Sequence, residues 1–278
     1  MNKKTYYIKK IMGCTSNKNA ETLETKRTNQ AKIIDFPYEE VDRYFNNVSK
    51  SVCKIVISNL TGSGFLLSCT IEKENFYFLI TNEHIISKSD IKKKETIIIY
   101  YDNEFKNLQI NLNEDERYIR TFKDDIGVDL TAIEIISNDK IDNGFFLLNY
   151  SEKIEKNKLI NSQIYIPQYP SGQKLKNARG IIKDIDNNEI IHLANTEKGS
   201  SGSPIFLVDS IKVIGIHKQG DSFYKENIGD FIYPALDEIY KDFSKKIYKK
   251  KNIKKLLNEE DYKCFIGTDE NGYTYFGK

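Results

Sequence analysis

The sequence predicts an all-β protein of two antiparallel β-barrels followed by one C-terminal helix. Two sets of about six short apolar runs, one over residues 52–136 and the other over residues 145–217, have the length and β-branched content of strands. Turn-forming stretches such as residues 72–75 separate the runs. Little helical periodicity lies between them, and strands without intervening helices favour closed antiparallel sheets over an α/β sheet.

Each barrel is predicted from its own set of strands. The strands predicted for the first barrel cover residues 52–57, 64–71, 76–81, 97–101, 108–112, 118–122 and 130–136. Those predicted for the second barrel cover residues 145–148, 163–166, 180–185, 190–193, 204–208 and 211–217. The first barrel and the segment before it therefore occupy residues 36–140, and the second barrel occupies residues 141–234.

The segments outside the barrels have different patterns. Residues 1–35 are polar and rich in lysine and asparagine, which predicts a flexible arm, and a short helix is expected over residues 39–47. After residue 234, apolar residues recur at three- and four-residue spacing with lysines between them. This spacing predicts an amphipathic helix over residues 235–260 that closes the second barrel. Residues 261–278 form a tail.

Composition excludes several classes of function. Of the 278 residues, 42 are basic and 40 are acidic, so a net charge of +2 creates no field that favours nucleic acid or a membrane. The four cysteines lack metal-ligand spacing, no metal or cofactor is implied, and buried reduced thiols are expected at Cys53 and Cys69. No oligomeric state follows from these patterns.

The expected location is the cytoplasm. The first residues lack the apolar core of a signal peptide, and no run approaches the roughly twenty apolar residues of a membrane span. The context of Gly13 and Cys14 argues against acylation there, because the pair is internal and no apolar segment precedes it.

Three short segments carry candidate catalytic residues. His84 follows the apolar run that ends at Thr81, Asp129 directly precedes another apolar run, and Ser201 lies in the glycine-flanked segment 199–204. A serine hydroxyl is a weak nucleophile that needs an imidazole to take its proton and a carboxylate to stabilise the imidazolium. The order His, Asp, Ser excludes an α/β-hydrolase, in which the serine comes first.

The acid has competitors. Asp124 and Asp125 also precede the same apolar run, but only Asp129 adjoins it directly. This position favours Asp129 as the acid, and Asp125 remains an alternative. His192 lies in a predicted strand with no candidate base or nucleophile beside it, and it is interpreted as structural.

Five segments together resemble a trypsin-like serine peptidase domain of the chymotrypsin clan. The sequences of these segments are most similar to those of glutamyl endopeptidases. The resemblance covers about two-thirds of the chain, from residue 52 to residue 234. The segments are GSGFLL (62–67), LITNEH (79–84), VDL (128–130), GSSGSP (199–204) and VIGIH (213–217). Their combination is far more specific than any one of them.

The resemblance implies a chymotrypsin-like double β-barrel and a serine endopeptidase acting on a protein or peptide. His84 would be the general base, Asp129 its support and Ser201 the nucleophile that forms an acyl-enzyme. The backbone N–H groups of Gly199 and Ser201 would form the oxyanion hole. The alternative is a catalytically silent fold of this kind that binds peptides or serves as a scaffold.

The same resemblance implies a specificity pocket. His217, on the strand after the serine, and Thr196, five residues before the serine, match positions that line the S1 pocket of glutamyl endopeptidases. They imply a preference for Glu or Gln at P1, the substrate residue whose carbonyl is attacked. The alternative is a reshaped pocket, because Lys218 and Gln219 differ from the residues that follow this histidine in the family. Ser200 replaces the aspartate that trypsin-type zymogens pair with a new N-terminus, so activation by N-terminal insertion is not expected.

Overall fold

The computed structural model describes residues 48–147, 150, 155–210, 212–221, 226–256, 266–268 and 274–276. The predicted arm over residues 1–35 and the predicted helix over residues 39–47 lie outside the described residues. Within the described residues, no helix combines the length and apolarity needed to cross a lipid bilayer.

The first half of the structure is a seven-stranded antiparallel sheet with the strand order β5-β4-β1-β2-β3-β7-β6. Its strands are β1 (Val52–Ile57), β2 (Leu60–Ile71), β3 (Glu74–Thr81), β4 (Thr96–Tyr101), β5 (Lys106–Asn111), β6 (Ile119–Thr121) and β7 (Thr131–Glu134). The sheet forms a half-barrel, with β5 and β6 at its two ends.

The second half is a closed antiparallel barrel with the strand order β10-β13-β12-β11-β8-β9. Its strands are β8 (Gln163–Gln168), β9 (Lys176–Asp186), β10 (Glu189–His192), β11 (Pro204–Leu207), β12 (Lys212–Asp221) and β13 (Glu226–Phe231). A core that includes Ile164, Ile182 and Phe231 fills it. The predicted all-β fold with two antiparallel β units is confirmed.

Helices and short turns connect and follow the strands. The helices are α1 (Lys88–Lys92), α2 (Lys123–Ile126) and α3 (Tyr233–Leu256), and the 3₁₀ turns are Ser137–Asp139, Asn143–Phe145, Lys156–Lys158 and Pro170–Gly172. The predicted tail contains a two-stranded antiparallel sheet of β14 (Ile266–Thr268) and β15 (Thr274–Phe276).

The long apolar run of β2 reflects burial of both faces of the strand. Successive side chains of a strand point to opposite faces. Leu66 accordingly lies in the core on one side of the sheet, whereas Phe65 and Leu67 lie in the core on the other side. The second of these cores also contains Phe206 and Ile216 of the barrel, so it joins the two halves. This packing brings the ends of β2 and β3 against the barrel.

Two predictions about strands were wrong. Residues 145–147 do not form a strand: Phe145 ends a 3₁₀ turn and Leu147 makes only an isolated bridge to Leu67. The apolar run there serves packing, since the Phe145 ring lies 5.3 Å from the ring of Tyr101. Conversely, β13 was missed because its sequence, ENIGDF, is too polar to resemble a buried strand.

The two thiols expected to be buried are free and buried. Cys53 and Cys69 form no disulfide and are at most 5% exposed. Burial raises the pKa of both thiols, because the low-dielectric interior disfavours the thiolate. Neither thiol is a reactive nucleophile.

The C-terminal helix α3 packs against rings of the first sheet, although it follows the second barrel and was expected to close it. The Phe243 ring lies 4.5 Å from that of Phe76 and 5.5 Å from that of Phe78. The carboxylate of Asp242, the residue before Phe243, accepts hydrogen bonds from the Tyr118 hydroxyl at 2.9 Å and from Arg120 at 2.7 Å. The helix therefore fastens the end of the second barrel to the first sheet.

We expect Phe243→Ala to lower the free energy of unfolding by about 3–5 kcal/mol, because it removes a buried ring and leaves a cavity. Urea unfolding followed by circular dichroism measures the change. Tyr240→Ala is the control: Tyr240 lies on the same helix but is 49% exposed, so a change of about 0.5 kcal/mol is expected. Equal effects of the two variants would contradict the packing argument.

Candidate active site

The histidine and aspartate predicted from the sequence are in contact. His84 follows β3, and its Nδ1 lies 2.6 Å from Asp129 Oδ2. The backbone N–H of His84 also donates to Asp129 Oδ1 at 3.2 Å, while the Asn82 side chain donates to the Asp129 carbonyl at 2.6 Å. The carboxylate thus holds both the ring and the backbone of His84.

Burial and charge fix the state of this pair. The Asp129 side chain is 3% exposed, whereas that of His84 is 37% exposed. Burial of the carboxyl opposes its ionisation, but the hydrogen bond and charge of His84 outweigh burial and lower the pKa of Asp129 below its usual range. A carboxylate can only accept, so the Nδ1–H of His84 donates to it, and Nε2 is left to accept whenever it carries no proton.

The competing aspartates lie in other ion pairs. Asp124 pairs with Lys88 at 2.8 Å, and Asp125 pairs with Arg120 at 3.3 Å. Both belong to α2, which ends at Gly127 in the left-handed conformation with φ of 72°. The turn at this glycine separates both aspartates from the segment that carries the carboxylate to His84.

The serine segment rests directly on the first sheet. Gly202 has φ of 91°, and a Cβ atom there would lie 1.9 Å from the Ser63 carbonyl oxygen. The Ser63 N–H donates to the Ser201 carbonyl at 2.8 Å, and the Thr81 hydroxyl donates to the Ser63 carbonyl at 2.8 Å. Only glycine permits this approach. It places the Ser201 turn against the strand that leads to His84.

Two backbone N–H groups of this turn point away from protein acceptors. The Lys198 carbonyl accepts from the Ser171 N–H, and C=O and N–H point in opposite directions across a trans peptide. The N–H of Gly199 therefore points away from Ser171. Among the described residues, neither Gly199 N nor Ser201 N has a hydrogen-bond acceptor, whereas Ser200 N donates to Glu197. Two such donors, one on each side of Ser200, can bind an oxyanion.

The Ser201 hydroxyl donates to the Lys218 carbonyl at 2.9 Å. Lys218 lies at a β-bulge, since the pairing of β12 with β13 shifts register between His217 and Gln219. A bulge redirects the backbone and the side chain of the extra residue. Here it directs the Lys218 carbonyl toward Ser201.

The side chain of Lys218 belongs to an ionic cluster behind Asp129. Its ammonium lies 2.7 Å from Glu189 and 3.6 Å from Asp230. Asp230 is fully buried, and its other oxygen accepts the backbone N–H of Asp129 at 2.7 Å. Burial raises the pKa of Asp230, so Lys218 is the cation that favours its ionised form. The cluster links the second barrel to Asp129.

The sequence analysis missed Asp230 and Lys218. Asp230 stands between apolar residues in the segment 228–232, and an acidic residue in such a run signals a buried, paired carboxylate. Lys218 directly follows His217, and the sequence analysis considered it only as a residue that could reshape the pocket. No pattern in the sequence shows the bulge that directs it.

The two residues predicted for the specificity pocket lie in separate hydrogen-bond pairs. His217 is 2% exposed, and its Nδ1 lies 3.3 Å from Nε2 of His192. Burial, with smaller contributions from His192 and His84, lowers the pKa of His217 well below its usual value. The Thr196 hydroxyl donates to Asn227 Oδ1 at 2.6 Å. His192 therefore contacts one of the two residues predicted for the specificity pocket, and its structural role stays a prediction.

The region holds no preformed metal site in the part of the chain that the structure describes, where no three His, Cys, Asp or Glu side chains cluster to hold an ion. The chemistry available from the described residues is that of an imidazole, a buried carboxylate, a hydroxyl and two backbone donors.

Solved structures of proteases share this fold. A Glu endopeptidase in complex with MPD is 19% identical, with a TM-score of 0.54, covering 71% of this chain and 91% of that one. The serine endoprotease from Yersinia pestis is 15% identical, with a TM-score of 0.53, covering 72% and 65%. An inactive form of Rv3671c from M. tuberculosis H37Rv is 15% identical, with a TM-score of 0.51, covering 71% and 89%. At these identities the likeness shows the fold alone.

The family is shown by sequence. No curated protein matches the chain. The family model described as a trypsin-like peptidase domain matches residues 62–216, more than half of the chain, and that span includes His84, Asp129 and Ser201. The chain therefore belongs to the trypsin-like peptidase family and is a serine endopeptidase.

Proposed function

We propose that the protein cleaves peptide bonds with Ser201 as nucleophile, His84 as general base and Asp129 as the support of the imidazolium. The observation that carries this proposal is the contact of His84 with a buried carboxylate beside the glycine turn that presents Ser201. Deprotonation of a serine needs an oriented imidazole, and the carboxylate orients it through Nδ1.

The first step requires the Ser201 hydroxyl to leave the Lys218 carbonyl and donate to His84 Nε2. A rotation about the Cα–Cβ bond would release the hydroxyl from that carbonyl, and catalytic hydrogen bonds commonly tighten only when substrate is bound. The serine oxygen then attacks the substrate carbonyl carbon while its proton moves to Nε2. The resulting imidazolium lies against the Asp129 carboxylate.

The remaining steps use the same groups. The N–H groups of Gly199 and Ser201 would stabilise the oxyanion of the tetrahedral intermediate. His84 gives its proton to the leaving amine, which departs and leaves an acyl group on Ser201. Water, deprotonated by His84, then attacks this ester and releases the acid product.

The substrate is a protein or peptide, and its P1 side chain would lie beside His217 and Thr196. A donor and a hydroxyl group at the base of a pocket suit the polar end of Glu or Gln. The proposed preference therefore covers these two residues at P1.

One observation favours the alternative of a catalytically silent, peptide-binding fold. The Ser201 hydroxyl is hydrogen-bonded to Lys218 rather than to His84 in the structure. If this arrangement persisted with peptide bound, the serine would not be deprotonated. The two functions therefore differ in the reactivity of one hydroxyl.

A fluorophosphonate probe tests that reactivity directly. We expect stoichiometric labelling, with the modified peptide mapping to Ser201, because only an activated serine attacks phosphorus. Ser201→Ala should abolish labelling. Ser203→Ala is the matched control, since the Ser203 hydroxyl is buried and has no hydrogen-bond partner among the described residues, and it should label as the wild type does. Labelling that survives Ser201→Ala would identify a different nucleophile.

A further inference from the structure

Two residues are proposed for the P1 pocket, and the backbone of Ala194 fixes which of them donates a hydrogen bond to substrate and which accepts one. Its N–H donates to His192 Nδ1 at 3.3 Å, and its carbonyl accepts from Asn227 Nδ2 at 2.7 Å. Ala194 is fully buried, so these two directions do not change with solvent. His192 contacts His217, and Asn227 contacts Thr196.

The histidine pair makes His217 a neutral donor. His192 accepts the Ala194 N–H at Nδ1, so its own proton is on Nε2, which lies 3.3 Å from His217 Nδ1. His217 Nδ1 is therefore the acceptor, and the proton of His217 is on Nε2. Both rings are neutral, because burial lowers the pKa of His192 to about 4 and lowers that of His217 well below its usual value.

The Asn227 amide makes Thr196 an acceptor. If the amide were turned over, Oδ1 would lie 2.7 Å from the Ala194 carbonyl oxygen, two acceptors in repulsive contact. Nδ2 therefore faces Ala194, and Oδ1 faces Thr196. The single proton of the Thr196 hydroxyl is donated to Oδ1 at 2.6 Å, so only its lone pairs remain for a substrate.

One fixed donor and one fixed acceptor match a carboxamide. A Gln side chain offers a carbonyl oxygen to His217 Nε2–H and an N–H to Thr196 Oγ1, whereas a Glu carboxylate offers acceptors only. The ammonium of Lys218, the residue after His217, is already paired with Glu189 and Asp230. A carboxylate would therefore face the Thr196 lone pairs without a counterion.

We infer that the P1 residue is Gln in preference to Glu. This inference rests on the proposed function, in which His217 and Thr196 line the P1 pocket. It makes Asn227 and His192 positioning residues, because they act on substrate only through Thr196 and His217.

The test uses three peptides that differ only at P1, with Gln, Glu or Met, cleaved by the full chain at pH 7.5. At this pH a Glu side chain is ionised. We expect kcat/KM for Gln to exceed that for Glu by at least about tenfold, since the pocket leaves one polar contact of Glu unfavourable. Met has similar size and no polar group, so it reports the apolar contribution alone.

Thr196→Val tests the acceptor. The substitution keeps the shape and removes the oxygen, so the ratio of Gln to Met cleavage should fall about tenfold, the value of one neutral hydrogen bond. Thr196→Ser keeps the oxygen and should restore the ratio. An unchanged ratio in Thr196→Val would overturn the assignment of Thr196 as acceptor.

The outcomes separate this inference from the proposed function. Cleavage of the Glu peptide as fast as or faster than the Gln peptide would overturn the inference and leave the peptidase proposal standing. Failure to cleave any of the three peptides, together with failure of the fluorophosphonate to label Ser201, would overturn the proposed function itself.

Discussion

Ser201→Ala is expected to lower kcat/KM for peptide cleavage by at least about 10⁴-fold, because alanine has no oxygen to form the acyl-enzyme. What remains would be the slow attack of water on a carbonyl held by the Gly199 and Ser201 N–H groups. The measurement is kcat/KM on the fastest of the P1 peptides, with circular dichroism to show that the variant is folded.

His84→Ala should cause a loss of similar size, and the double variant should be no slower than either single variant. A nucleophile and its base act as a unit, so removing the second after the first removes nothing more. This pair of substitutions is therefore a double-mutant cycle. Losses that multiply would show that His84 contributes independently of Ser201 and would contradict the proposed proton transfer.

Two strands of the first sheet, β1 and β3, could be predicted closely because their apolar runs are largely buried. β1 has the predicted bounds, and β3 begins only two residues earlier than expected. Asp129 could be ranked above Asp125 for a related reason, since a residue that adjoins a buried strand directly has its position fixed by that strand. Asp125 instead lies on a short exposed helix.

Long-range contacts could not be read from the sequence in the same way. β13 is polar because its side chains form hydrogen bonds with residues outside the strand. Asn227 binds Ala194 and Thr196, and Asp230 binds the backbone of Asp129. These partners lie more than 30 residues away in sequence. Asn227 therefore looks, locally, like a surface residue, and the apolar neighbours of Asp230 signal its burial but not its partner.

The hydrogen-bond polarity of the P1 pocket depends on the same contacts. The sequence could name His217 and Thr196 by resemblance, and that resemblance implied Glu or Gln without deciding between them. A choice between Glu and Gln requires the positions of the Ala194 N–H and carbonyl groups and the orientations of the His192 and Asn227 side chains. Under the proposed assignment, specificity in this pocket would therefore be set by residues that the substrate does not contact.

Asp129→Asn is expected to lower kcat by about 10⁴-fold with little change in KM. An amide nitrogen in place of Oδ2 would donate toward His84 Nδ1, which then takes the acceptor tautomer and leaves the proton on Nε2. Nε2 can no longer accept the serine proton. KM should change little because the proposed P1 contacts lie in the second barrel.

The same variant has a pH signature in stability. The pKa of Asp129 is lowered in the folded protein, so its ionised form contributes stability above the unfolded pKa of about 3.9. That contribution is lost as the pH falls through the folded pKa. The difference in unfolding free energy between wild type and Asp129→Asn should therefore shrink as the pH falls below about 4.

Asp125→Asn is the matched control, because it makes the same chemical change in the competing aspartate. The Asp125 side chain is 50% exposed and pairs only with Arg120 among the described residues, so its loss should change kcat by less than about twofold. The cluster of Lys218 and Asp230 holds Asp129 from the second barrel, and nothing described there holds Asp125. A large loss of kcat in Asp125→Asn with little loss in Asp129→Asn would assign the role of the acid to Asp125. It would also contradict the argument that the cluster of Lys218 and Asp230 positions the catalytic acid.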